Sequence, residues 1–501
     1  MAQPHSPDRR EVLKGISAVA VASSGLKAAF GGAVTIEARA ASAVIDKSQG
    51  LTWLPAWKLR EMIVKREVSS VEVVEHFLNR IEALDPQLHA FRKLDARAAR
   101  EQAVQADKAV SSDGTLGLLH GVPIAVKELF SVKGFPVPGS YFSYLSSGKT
   151  GALPLAKRDD IEVERLRAAG AVIVGTTAAA AGLALGMSDA SQLPRNPWDM
   201  SRTPGGSSAG SGAAVAAGLL PMAMGDDGGG SMRLPSAFCG LVGLHPTPGR
   251  IPYVDYKAMA PRATVAAGPM TRCVRDAAIA MQILSGPDGR DFVCMQEEPP
   301  DFIAALGGGI KGKRFAWTDN FGFAPLPAPL YSPEVIYTVH AATGSLQRAG
   351  GSVARVATAW ESPVASWLAA QQLLLGRNIS GLSEAPLSEA EMVAALDSRA
   401  RNWRRFREVF AEYDFIVSPT AHYMAPTIPD WVELWKQQVG QPKRALVLDT
   451  SAGLNICNVL GLPAISMPAG LVEGLPVGLQ AIGKRGSEVE LLQVAQAFLA
   501  A

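Results

Sequence analysis

Apolar side chains recur three and four residues apart through 54–66 and again through 71–84, the spacing that puts one buried face on a helix. The second stretch opens on Ser69-Ser70-Val71-Glu72, a capping box in which a serine hydroxyl and the glutamate three residues on satisfy the first turn's N–H groups. Asp85-Pro86 is expected to end it. A polar, alanine-rich helix follows over 95–109, and then the apolar run 121–126 reads as a short strand that delivers Lys127 at its end. Residues 165–169 and 171–175 read as helix, glycine turn and strand, and 213–218 as a helix of small residues. Further on, 314–317 is strand-like and 333–349 helical. Residues 415–417 form a strand ending in Ser418-Pro419-Thr420, two more strands cover 461–468 and 477–482, and 488–499 closes the chain as an amphipathic helix. Strands alternating with helices predict an α/β architecture, a sheet covered on both faces.

Composition changes this picture little. The 501 residues are 48% apolar and 19% charged with a formal net charge of +2, which leaves no strong field for nucleic acid or a membrane surface. The basic cluster Arg404, Arg405 and Arg407 is interleaved with Trp403, Phe406 and Phe410, as on a helix with one solvated face. Four cysteines, Cys239, Cys273, Cys294 and Cys457, show no zinc spacing, and the seven histidines are dispersed.

The N-terminus does not read as part of the fold. Asp8-Arg9-Arg10-Glu11-Val12-Leu13-Lys14 resembles a twin-arginine export motif, and a weakly apolar run, 15–26, follows it. Small residues then offer cleavage sites at Ala38-Arg39-Ala40 and Ala41-Ser42-Ala43. The run is too short and too interrupted by glycine and serine to span a bilayer. The expectation is a signal over 1–43, a domain over 44–501, and a periplasmic or secreted product.

Chemistry concentrates in 204–252, PGGSSAGSGAAVAAGLLPMAMGDDGGGSMRLPSAFCGLVGLHPTPGRIP. Glycines flank two serine clusters, Ser207-Ser208 and Ser231, on either side of the small-residue helix. Unpaired N–H groups in such loops form concave sites for oxyanions. The tract closely resembles the motif of the amidase signature family, matching its Arg233, Pro235, Cys239 and Pro246-Thr247 positions. The resemblance implies a single large α/β domain with a mixed twisted sheet, amide-bond hydrolysis by a Ser-cisSer-Lys triad, and neither metal nor cofactor. Carried over by motif, the nucleophile is Ser231 and the bridging serine is Ser207, twenty-four residues earlier. The lysine of GVPIAVKE (121–128) is Lys127. Backbone N–H groups of Gly228, Gly229, Gly230 and Ser231 would hold the oxyanion, and a cis peptide would precede Ser207. Serine needs a base to attack. Lys127 must therefore be uncharged when it acts, which burial favours by disfavouring the ammonium.

The chain departs from the family pattern at three places. Asp226 replaces the threonine of G-T-D, Thr176-Thr177-Ala178 replaces K-T-N, with Ala180-Ala181 near the usual glutamate, and His245 stands where lysine is usual. Other motifs carry less. Gly206-Ser207-Ser208-Ala209-Gly210 fits the α/β-hydrolase elbow with Ser208 as nucleophile and a late histidine such as His422 as base. The proline-rich segment before it, however, is poor strand material. Ser146–Lys149 and Lys149-Thr150-Gly151 imitate penicillin-recognising motifs but share one lysine. The 307–313 stretch imitates a P-loop, with Arg314 in place of the Ser/Thr and a strand where a helix is needed. Pocket walls are expected from 140–147, 187–193 and 290–440. There Trp360, Trp367, Trp431 and Trp435 suit either a bulky substrate or the core. The expected partner is a small-molecule amide, with no nucleic acid and no stable membrane insertion, and a homodimer is compatible with the sequence. Ester or carbamate hydrolysis on the same fold, and a catalytically inactive binding protein, are the alternatives.

Overall fold

The computed structural model describes residues 50–110, 112, 115–136, 154–180, 192–253, 264–323, 330–375, 387–439 and 451–501. The export motif, the apolar run and the cleavage sites lie outside the described residues. So do the Ser146–Gly151 motifs, residues 140–147 and 187–191 of the expected pocket walls, and the Trp435 side chain.

Eleven strands among the described residues form one sheet. They are β1 (Phe91–Leu94), β2 (Pro123–Lys127), β3 (Val172–Thr177), β4 (Met222–Asp227), β5 (Val242–His245), β6 (Ala266–Thr271), β7 (Arg314–Trp317), β8 (Ser352–Arg355), β9 (Phe415–Pro419), β10 (Ala464–Val472) and β11 (Leu475–Ile482). Their order is β1-β3-β2-β4-β6-β5-β10-β11-β9-β7-β8. β2 runs parallel to both β3 and β4, as β7 does to β8 and β9, and the remaining neighbours are antiparallel. The sheet is therefore mixed and flanked by helices in one domain.

Strands covered on both faces carry apolar residues continuously, because alternate side chains enter different cores. Every residue of β2, β3 and β4 is buried. Ile124, Val126, Ile173, Met222 and Met224 join one core, whereas Ala125, Val172 and Val174 join another with Val74, Leu78 and Ala213. Ala125 lies opposite Ala223 and Val126 opposite Met224, while Lys127 pairs with Thr177 of β3. The carboxyl ends of β2, β3 and β4 thus lie side by side, the position where open α/β sheets collect their chemistry.

Two helices differ from expectation. Ser70–Leu88 keeps its capping box at Ser69 and Glu72 but runs through Pro86 to a left-handed His89. Pro86 forgoes a ladder N–H in the last turn, and Asp85 turns its carboxylate onto the N–H groups of Ala90 and Phe91 beyond the terminus. The helix expected over 333–349 divides into Pro333–Ala342 and Gly344–Arg348. At the junction the Thr343 hydroxyl donates to the His340 carbonyl at 2.6 Å, a local bond that competes with the helix ladder, and Gly344 is a weak helix former.

The Glu389–Glu412 helix buries Phe406 and Phe410 while Arg404 and Arg407 face solvent, the one-sided helix expected of that basic cluster. All four cysteines are free thiols. The P-loop imitation, 307–313, runs from the end of a 3-10 turn at Ala304–Gly308 through a short turn into β7. Among the described residues, no helix is long and apolar enough to cross a membrane.

Candidate active site

Lys127 ends β2 with its side chain fully buried. Its Nζ donates to Ser207 Oγ at 2.6 Å and forms an ion pair with Asp226 Oδ1 at the end of β4. Ser207 follows Gly206 through a cis peptide bond. The next residue, Ser208, is buried, its hydroxyl donating to the Asp226 carbonyl at 3.1 Å and its N–H to the Ser231 carbonyl at 3.0 Å. These bonds stitch the two serine segments to the strand ends. They also leave Ser208 facing backbone rather than solvent, which argues against the hydrolase-elbow assignment. A Cβ on Gly225 would come within 2.6 Å of Ser208 Oγ, so glycine is what lets β4 pass beneath this turn.

Asp227 organises the loop that carries Ser231. Fully buried, it accepts from the N–H groups of Gly230 at 2.6 Å and Met232 at 3.3 Å, from Arg233 Nε at 2.9 Å and Nη2 at 3.0 Å, and from Asn458 Nδ2 at 2.9 Å. Burial alone would raise this carboxyl, but the Arg233 guanidinium and the hydrogen bonds outweigh it and hold it far below the usual carboxylate range. Arg233 is itself fully buried and donates further to Leu454 O, Gln480 Oε1 and Asn458 Oδ1. Gly230 has φ 104°, and a Cβ there would meet Leu454 Cδ1 at 2.6 Å. From the other side, Trp367 Nε1 donates to Gly228 O at 2.7 Å.

The structure therefore brings Lys127 and Ser207 into hydrogen-bonding contact and ties the Ser207-Ser208 turn to the backbone of Ser231, which is half-buried. Gly228 and Gly229 are half-buried in the same loop. Gly230 departs from its expected part in an oxyanion site, because its N–H is already committed to the Asp227 carboxylate.

Trp360 packs edge-on against Phe321 and tilted against Phe406, and Trp431 packs in a core with Phe238 and Tyr423, so both are core residues. His245 is buried beside Asp227, Nδ1 to Oδ1 at 3.9 Å, and burial pushes its ring down to about 4, which leaves it neutral near pH 7. His422 is likewise pushed by burial to about 4. Asn458, Gln480 and Tyr253 join the site without any motif that announces them, whereas Trp367, expected in a pocket wall or the core, reaches it through Gly228. The first two do carry a signal, since a polar residue inside an apolar helix or strand must find a buried partner.

Comparison with known proteins agrees with the fold. The family model Amidase matches residues 72–379 and 370–492. The chain is 33% identical to a glutamyl-tRNA(Gln) amidotransferase subunit of Roseiflexus castenholzii, over 88% of this chain and 94% of that protein. To an acylamidase of Rhodococcus erythropolis it is 31% identical, covering 90% and 96%. Among solved structures it resembles a bacterial aryl acylamidase of the amidase signature family, with a TM-score of 0.74 and 25% identity over 89% of this chain and 96% of that one. It also resembles the peptide amidase of Stenotrophomonas maltophilia, with a TM-score of 0.69 and 27% identity over 89% and 96%. The fold and these relatives place the chain in a class of amide-cleaving enzymes. The chain belongs to the amidase signature family.

Proposed function

We propose that this chain is an exported amidase that hydrolyses a carboxylic amide to an acid and an amine or ammonia through an acyl-Ser231 intermediate. The observation that carries the reading is the 2.6 Å contact between buried Lys127 Nζ and Ser207 Oγ, on a turn bonded to the backbone of Ser231. Ser231 Oγ attacks the carbonyl carbon while its proton passes to Ser207 Oγ and the Ser207 proton passes to Lys127 Nζ. The oxyanion is held by N–H groups of Gly228, Gly229 and Ser231, each such donor contributing about 3 kcal/mol of barrier lowering. As the C–N bond breaks, the proton returns through Ser207 to the leaving nitrogen. Water then attacks the acyl carbon along the same proton path and releases the acid and free Ser231.

Ester or carbamate cleavage would use the same acyl-enzyme. The amidotransferase reading is supported by 33% identity against 31% for the acylamidase, a difference too small to choose between them. The near-neutral chain and the twin-arginine-like Arg9-Arg10 favour a free-standing exported enzyme. The test is a panel of aliphatic, aryl and peptide C-terminal amides, assayed with the purified chain alone for ammonia or amine. Turnover of one amide class supports the reading, whereas no turnover of any amide, with ester cleavage retained, would overturn it.

A further inference from the structure

Four consecutive peptide groups lead from Asp227 to Ser231, and each has a bonded partner. The Asp227 carbonyl accepts from Asn458 Nδ2 at 3.0 Å, the Gly228 carbonyl from Trp367 Nε1 at 2.7 Å, and the Gly230 carbonyl from the Leu234 N–H at 2.8 Å. The remaining peptide is held at its other end, the Gly230 N–H donating to Asp227 Oδ1 at 2.6 Å. Among the described residues the cis bond is Gly206-Ser207, so these four peptides are trans. A trans peptide is planar, and its C=O and N–H point in opposite directions. Holding a carbonyl therefore aims the N–H of the following residue away from the holder. The three held carbonyls aim the N–H groups of Gly228, Gly229 and Ser231, the three assigned to the oxyanion, while that of Gly230 is kept back on Asp227.

Trp367 stands apart from the other partners. Leu234 and Asp227 lie within the Gly/Ser tract, and Asn458 also bonds the Asp227 carboxylate, whereas Trp367 comes from the Val364–Leu375 helix. That helix is pinned by Ser366 Oγ, which donates to Ala395 O of the Glu389–Glu412 helix at 2.7 Å. The half-buried indole packs with Val364 and Leu368 in a small cluster of its own. Its N–H edge lies against the loop. A Cβ on Gly229 would stand 3.1 Å from Trp367 Nε1 and 2.6 Å from Asn455 Oδ1, so the loop passes between the indole and the Ala452–Leu460 helix with no room for a side chain.

We propose that Trp367 is a positioning residue for the reaction. Its indole N–H holds the Gly228 carbonyl so that the Gly229 N–H is aimed at the oxygen that gains charge as Ser231 attacks. Donors fixed in advance lower the barrier because they need no reorientation as charge develops. The Gly228–Gly229 peptide lies between two glycines, whose backbone dihedrals turn at little steric cost. Without the indole bond its aim is lost even if the loop keeps its path. The loss falls on the rate of attack rather than on binding, because the bond matters where the oxygen is charged. A tryptophan that served only as pocket wall would act on binding instead.

This inference rests on Ser231 as nucleophile and on its loop as the oxyanion site, and its test needs no knowledge of the substrate. In reaction with an alkyl fluorophosphonate, Ser231 Oγ bonds to phosphorus and the P–F bond breaks to release fluoride. The serine proton passes through Ser207 to Lys127, and the phosphoryl oxygen occupies the oxyanion position. Labelling rate against probe concentration separates binding, KI, from maximal rate, kinact. Trp367→Phe keeps a ring without a donor. Trp367→His gives up apolar area, but its Nε2 can take the place of the indole Nε1 and donate. Removing an oxyanion donor outright costs about a hundredfold or more. Misaiming one should lower kinact in Trp367→Phe by at least about fivefold, with KI within about twofold of the parent. Trp367→His should stay at least about threefold faster than Trp367→Phe, the reverse of the order expected from ring area. Trp367→Leu, also without a donor, guards against Trp367→Phe failing to fold, with folding checked by calorimetry. A smaller fall in kinact in a folded variant without a donor, a loss carried by KI, or a folded Trp367→His no faster than Trp367→Phe would overturn the role of Trp367. Persistent labelling of Ser231→Ala would instead overturn the assignment of the nucleophile.

Discussion

Replacing Arg233 by methionine keeps much of the side chain's length and removes the guanidinium charge that offsets Asp227. Five side-chain hydrogen bonds disappear: two to Asp227 and one each to Leu454 O, Gln480 Oε1 and Asn458 Oδ1. Breaking a fully buried pair by deleting one partner costs about 3–5 kcal/mol, because the other charge is left desolvated. With an unfolding entropy of about 2.1 cal/mol/K per residue, the ~450 residues of the domain give roughly 1 °C of Tm per kcal/mol, so Tm should fall by about 3–5 °C. The pH dependence sharpens the test. In the parent protein the Asp227 carboxyl lies below its unfolded value, so its stabilisation is complete above the ordinary carboxylate range and fades only as pH falls beneath it. In Arg233→Met burial is left to raise that carboxyl, so the variant's deficit should be largest at pH 7–8 and narrow towards pH 4. Scanning calorimetry across that range reads both effects. A Tm within about 1 °C of the parent, or a deficit independent of pH, would refute the placement of Asp227 and Arg233 as a coupled buried pair.

Lys127→Ala should slow fluorophosphonate labelling of Ser231 and any amide turnover by orders of magnitude, and Lys127→Arg should not restore them, since a guanidinium stays protonated. Stopped-flow or gel-based labelling rates check both. Gly225→Ala drives a methyl group to 2.6 Å from Ser208 Oγ and should destabilise by about 1–3 kcal/mol through overpacking, read as a lower Tm with slower labelling. Arg9→Lys with Arg10→Lys should hold the unprocessed chain in the cytoplasm, and fractionation showing normal export would rule out the twin-arginine signal.

The sheet's short apolar runs can be read from the sequence because burial on both faces leaves few polar interruptions. β2, β3, β7 and β11 are all visible in that way. β4 is not, because its apolar half, Met222–Met224, is followed by glycine and two aspartates that read as loop. β6 is hidden likewise by Gly268 and Pro269. The Gly/Ser tract announces its chemistry through a long motif, and the buried carboxylate and arginine, Asp227 and Arg233, lie within it. What holds them does not. Asn458 and Gln480 come from more than two hundred residues away, and nothing local to either indicates its partner. The contact between Lys127 and Asp226 joins the ends of two parallel strands 99 residues apart, and such crossovers leave no pairing signal in sequence.

Identification of the labelled serine is the most direct test of the central claim. The full chain is treated with a fluorophosphonate, digested, and the modified peptide sequenced by mass spectrometry, alongside Ser231→Ala and Ser208→Ala. The account predicts modification at Ser231, its loss in Ser231→Ala, and its retention in a folded Ser208→Ala. Modification at Ser208, or undiminished labelling of Ser231→Ala, would contradict it.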